Sequence, residues 1–131
     1  MPYNNRPYGK FNKFGARKTE FMGMKFDSKW EAERYGQLHL MQENGEITDL
    51  DRQVRFNIVI DGQKICAYIA DYTYRKPNKN GELEYIVEDA KGVETDVFRL
   101  KKKLMLAVNG IDVLVTKKTS KKKSKFEKLK L

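Results

Sequence analysis

The sequence predicts one α/β domain. Two helical segments with clear start and stop residues bracket three consecutive strand-like runs, a short apolar run follows the second helix, and most of the basic charge lies outside this stretch. At 131 residues the chain has room for one modest core, and a second independent domain would bury too little apolar surface.

Residues 1 to 20 carry five basic side chains against Glu20, a net of +4, interleaved with Tyr3, Tyr8, Phe11 and Phe14 and lacking helical or strand periodicity. They read as a mobile arm whose cations, Arg17 and Lys18 among them, meet phosphates while its rings meet bases. A first helix is expected from about Ser28 to Asn44. Asp27 and Ser28 are good N-caps, Ser28 and Glu31 have capping-box spacing, and Gly45 suits the position after the C-cap. Its inward stripe would hold Glu31, Tyr35 and Leu38. Strands follow at Val54 to Ile60, ended by an Asp61-Gly62 turn, at Ile65 to Tyr74, and, after a Pro77 to Gly81 loop, at Leu83 to Ala90. A second helix from Asp96 to about Asn109 has Val97, Leu100, Leu104 and Val108 on one stripe, with Asn109-Gly110 as its stop. The last strand is Ile111 to Val115, giving the order α-β-β-β-α-β over residues 21 to 115. Residues 116 to 131 carry eight lysines against Glu127, a net of +7, so they form a self-repelling tail. Of the total +9, the two arms leave the central part at −2.

Several function classes drop out. No apolar run reaches the roughly 18 residues of a membrane span, and the first residues lack a signal-peptide core, so a cytoplasmic protein without a membrane partner is expected. A lone Cys66 and a lone His39 cannot supply a zinc set, and Cys66 in an apolar run reads as core filler.

Acidic groups interrupt two otherwise apolar strands. In the second strand Asp71 shares a face with Ile69 and Thr73, and in the third Asp89 shares one with Val87 and Lys91, while Glu88 falls on the opposite face and reads as structural. An odd-numbered loop pairs Asp71 with Asp89 or with Val87, and in either register both aspartates emerge on the same side. Two such carboxylates repel unless one is protonated or a cation sits between them, and a hard divalent ion such as Mg²⁺, with Mn²⁺ as substitute, suits oxygen donors. Lys91 is placed to position an attacking water and to stabilise charge on a phosphate. Glu31 is a candidate third carboxylate, and equally the N3 member of a capping box. Arg99, Lys101, Lys102 and Lys103 on the second helix are candidates for holding phosphates, and Gln53 is an auxiliary candidate.

The segments Phe26 to Tyr35, Ala70-Asp71-Tyr72-Thr73-Tyr74 and Val87-Glu88-Asp89-Ala90-Lys91-Gly92, in this order, resemble the PD-(D/E)XK nuclease superfamily. More narrowly they are similar to small phage-encoded proteins related to phage endonuclease I and other Holliday-junction resolvases. Ala70 stands where the superfamily's name has proline, a position that shapes backbone and binds no metal. The resemblance implies a restriction-endonuclease-like core with a mixed sheet flanked by helices. It also implies metal-site acids Glu31, Asp71 and Asp89, a catalytic Lys91, and a homodimer acting on branched DNA in phage recombination or processing. The expected function is therefore a magnesium-dependent DNA endonuclease, a hydrolase without a covalent intermediate. The rival expectation is a non-catalytic nucleic-acid-binding accessory protein that works through its basic arms.

Overall fold

The computed structural model describes residues 18–118, so Arg17, the preceding arm and the tail beyond Lys118 lie outside the described residues. The elements are β1 (Thr19–Phe21), β2 (Met24–Phe26), α1 (Lys29–Glu43), β3 (Thr48–Ile60), β4 (Gln63–Pro77), β5 (Leu83–Ala90), α2 (Asp96–Asn109) and β6 (Leu114–Thr116). The chain is α/β, with a four-stranded mixed sheet in the order β3-β4-β5-β6 and two helices packed on it. The β3-β4 and β4-β5 pairs are antiparallel, and β6 joins β5 in parallel.

Both helices form where local signals demand them. Ser28 Oγ accepts the Glu31 N–H at 3.1 Å, and at the far end Gly45, with φ of 82°, lets its own N–H reach Gln42 O and that of Glu46 reach Met41 O. These two bonds close a Schellman motif. Thr95 caps α2 through Phe98 N at 3.1 Å, and Gly110 in the left-handed region ends it. The β3-β4 hairpin turns through Asp61 and Gly62, both at positive φ, which suits the right-handed twist of the strands.

Four expectations need correction. A small hairpin, β1-β2, precedes α1 and turns through Met22-Gly23 at positive φ; its three-residue strands are too short to show alternation. β3 begins at Thr48 rather than Val54, because cross-strand bonds to β4 recruit the polar segment Thr48 to Gln53, with Asp49 and Gln53 at positive φ. β6 lies at Leu114–Thr116 instead of Ile111 to Val115, so ordered strand structure runs from Thr19 to Thr116. Finally, α2 buries Phe98 and Met105, while Val97, Leu100 and Val108 are exposed and Leu104 is half-buried. Two overlapping stripes run along this helix, and the bulkier one turns inward.

The core has two parts. Ile58, Tyr68, Ala70 and Val87 pack with Phe98 and Met105 of α2, whereas Tyr72, Tyr74, Ala90 and Ile47 pack with Leu38 of α1. Even-numbered residues of β4 thus enter both clusters, and the change of side falls at Asp71. Between α1 and the sheet lies a buried polar knot. Glu88, fully buried, accepts from Arg34 Nε at 2.6 Å and Nη2 at 3.0 Å, from Tyr74 Oη at 2.5 Å and from Thr116 Oγ1 at 2.9 Å. Burial works against the Arg34 charge, but the hydrogen bonds and charge of Glu88 more than offset it and hold its pKa above the ordinary arginine value. Among the described residues, no helix is long and apolar enough to cross a membrane.

Candidate active site

The site lies where β4 parts from β5. The last residues paired between these strands are Tyr72 and Glu88, and one further step of the same register sets Asp71 opposite Asp89. On the other side of β4, Arg52 pairs with Tyr72 and Val54 with Ala70, which places Gln53 level with Asp71. Gln53 has φ of 56°, an uncommon conformation for a residue with a side chain.

The structure brings the two aspartates together. Asp71 is 8 % and Asp89 2 % exposed, and the two carboxyl groups stand close enough for Asp89 to disfavour the charge on Asp71. Asp71 Oδ2 also accepts the Ala90 N–H at 2.9 Å. Burial foremost, then the hydrogen bond and charge of Asp89 and the charge of Glu31, raise the Asp71 carboxyl to a pKa of about 9. Burial and the neighbouring negative charges thus disfavour the ionised form of Asp71.

Asp89 is held from two sides. The Tyr68 hydroxyl donates to Asp89 Oδ2, and burial, followed by the Asp89 charge, pushes the Tyr68 pKa up, so it stays protonated as a donor. Lys91 Nζ stands 3.3 Å from Asp89 Oδ1 and 4.5 Å from the centroid of the Phe98 ring. The Lys91 N–H donates to Thr116 O at 2.9 Å, which fixes the backbone just past the end of β5. Asp89, Lys91, Tyr68, Thr95, Phe98 and Lys101 border an open pocket of about 270 Å³.

Glu31 is nearby but differently engaged. Its carboxyl accepts the Asp27 N–H at 3.4 Å, and its backbone oxygen accepts from Tyr72 Oη at 2.5 Å. Burial first, then the charge of Asp27 and more weakly that of Asp89, raise its pKa. With Lys25, Asp27, Arg52 and Gln53 it lines a second pocket of about 170 Å³. Arg52 stacks 4.3 Å over the Phe26 ring and donates to Lys25 O at 3.0 Å. Among the described residues, no three Asp, Glu, His or Cys side chains converge as a ready metal-binding group. Asp71 and Asp89 form the close pair, and Glu31 stands apart at the helix cap.

The expected phosphate-facing lysines divide. Lys101 is drawn inward to donate to Ala67 O at 2.8 Å, and Lys102 Nζ pairs with Asp112 at 3.5 Å, whereas Lys103 is exposed. Lys18 Nζ sits 3.4 Å from Asp27 in an exposed pair. Arg17 lies outside the described residues. Sequence reasoning missed Tyr68, because strict alternation puts it on the face opposite Asp71. Only the change of side in β4 carries its hydroxyl to Asp89.

A family model described as "Protein of unknown function (DUF1064)" matches residues 11–128 of the chain. No curated protein and no solved structure matches it.

Proposed function

The chain belongs to the DUF1064 family, and we propose that it is a metal-dependent DNA endonuclease that hydrolyses phosphodiester bonds at the Asp71–Asp89–Lys91 site. One observation carries the reading: two buried carboxyl groups meet on one patch of sheet with an ammonium group 3.3 Å from the second. The donor set fits a hard divalent ion such as Mg²⁺ or Mn²⁺, since it offers carboxylate oxygens without thiol or imidazole and carries a charge conflict that a cation relieves. Asp71 and Asp89 would hold the ion, and Glu31 is the third acid in reach of their field. When bound, such an ion lowers the pKa of a water and polarises a phosphate oxygen.

The chain's own groups supply the rest. Lys91, steadied by Asp89 and the Phe98 ring, presents N–H donors toward the adjacent pocket, where they orient the attacking water and stabilise charge on the phosphate. Tyr68 holds the Asp89 carboxylate in one orientation. Among the described residues no element resembles a major-groove recognition helix, and the basic residues outside the core favour backbone contact. The proposed substrate is therefore DNA recognised by shape, such as a branched duplex. The reading is tested by incubating linear and branched duplexes with the full chain in Mg²⁺, Mn²⁺, Ca²⁺ or EDTA. Nicking in Mg²⁺ or Mn²⁺ that EDTA abolishes while binding survives supports it. Binding without cleavage in every metal overturns it and leaves a nucleic-acid-binding protein.

A further inference from the structure

An apolar groove of about 500 Å³ runs between β1 and α1, on the side of the helix away from the Asp71–Asp89 pair. Phe21, Ala32, Gly36 and Leu40 line it, with Glu20 and Glu33 beside them. Leu40 is 56 % and Phe21 40 % exposed, so this surface lacks a cover among the described residues. Gly36 belongs to the groove's design: a Cβ there would stand 3.3 Å from the Phe21 ring, and its absence lets the ring lie against α1.

The described chain ends on this surface. Lys118 Nζ is 3.0 Å from Glu33 Oε1 and 3.3 Å from Oε2, which delivers the last described residue to the groove. Thirteen residues follow, ending Phe126-Glu127-Lys128-Leu129-Lys130-Leu131. The seven residues before Phe126 span up to about 25 Å when extended, enough to reach any point along the roughly 22 Å length of α1. This segment carries six lysines and the apolar residues Phe126, Leu129 and Leu131, while the apolar groove is bordered by two acids, Glu20 and Glu33, against one base, Lys29.

We propose that the chain's own C-terminal segment, Phe126 to Leu131, docks in the groove between β1 and α1. Docking buries Phe21 and Leu40 and lays the lysine run across the outside of the helix that carries Glu31. The tail is then a strap, seated by apolar residues and guided by charge.

The test uses the full chain with a nitroxide attached after Ser124→Cys in a Cys66→Ala background. The amide signals of Phe21, Gly36 and Leu40 should lose intensity relative to the reduced label, and should regain it when Phe126→Ser, Leu129→Ser and Leu131→Ser are added. In the native-cysteine background the same three substitutions should lower Tm by about 4–8 °C, the shift expected for a modest loss of buried apolar contact in a domain of this size. Three outcomes overturn the proposal: no intensity loss, a loss that the serine substitutions leave unchanged, or a loss seen only between labelled and unlabelled chains, which would make the occupant a second copy. An unchanged Tm also counts against it, and leaves the groove to the N-terminal arm or to another protein.

Discussion

Replacing Arg34 by Met should destabilise the fold by about 3 kcal/mol, the low end of the range for removing one partner of a buried ion pair. The low end applies because Glu88 would keep two neutral donors, Tyr74 Oη and Thr116 Oγ1, in a site from which water is excluded. Against a typical stability of about 5–15 kcal/mol this loss is large, and it corresponds to a fall in Tm of about 12–24 °C for a domain near 100 residues. Glu88→Gln alone should cost less, about 1–2 kcal/mol, because its amide oxygen still accepts a hydroxyl and the Arg34 side chain, 18 % exposed, retains some solvent. In the double variant both charges are gone, and stability should return close to that of Glu88→Gln. Urea denaturation of the four proteins closes the cycle, with an expected coupling of about 3 kcal/mol. Additivity to within about 0.5 kcal/mol, or a cost below about 1 kcal/mol for Arg34→Met, would refute the view that this ion pair clamps α1 to the sheet.

Three further outcomes are expected. Lys91→Ala should lower cleavage by roughly 100-fold or more while leaving DNA affinity within about twofold, as a filter-binding and nicking comparison would show; wild-type cleavage would remove the lysine from the reaction. Tyr68→Phe should keep the fold but lower cleavage by roughly 10-fold, since the Asp89 carboxylate loses one of its two anchors; a circular-dichroism melt alongside the rate separates this from unfolding. Deleting residues 119 to 131 removes six lysines, so the log-log salt slope of DNA binding should become shallower by several units if each released phosphate contact contributes about 0.9. An unchanged slope means that the tail does not touch DNA.

How much of this was legible in the sequence depended on whether the signal was local. Ser28, Gly45 and Gly110 act on the backbone within a turn of themselves, so these helix limits could be read directly. That Asp71 and Asp89 share a face was legible because the loop is odd in length, whereas the choice between Asp89 and Val87 as the residue opposite Asp71 came only with the register of the folded hairpin. The first half of β3 was not, since Thr48 to Gln53 is polar and becomes strand only through bonds to β4. The orientation of α2 was ambiguous because Val97-Leu100-Leu104-Val108 and Phe98-Met105 both follow helical spacing. What decides between them is the packing of Phe98 and Met105 with Tyr68 and Val87 of the sheet, a tertiary contact that no local pattern encodes. Tyr68 was hidden for a related reason: its reach to Asp89 depends on the strand changing side at Asp71.

Thr116 joins α1, the end of β5 and the buried Glu88 knot in one residue. Its carbonyl accepts from Trp30 Nε1 at 3.1 Å and from the Lys91 N–H, and its hydroxyl reaches Glu88. Trp30 and Thr116 are 86 positions apart, among the longest spans in the molecule, and β6 meets the sheet only through β5. On a ribosome, therefore, the segment that pins the Lys91 backbone is the last part of the core to emerge. Until it does, α1, the hairpin strands and α2 can assemble around Asp71 and Asp89 without a fixed position for the lysine. Closing so long a span costs chain entropy that local hairpins and helices do not incur, and here the same contact fixes the backbone of Lys91. A nascent or C-terminally cleaved chain lacking β6 would thus hold Asp71 and Asp89 on their strands without the Thr116 carbonyl that fixes the Lys91 backbone.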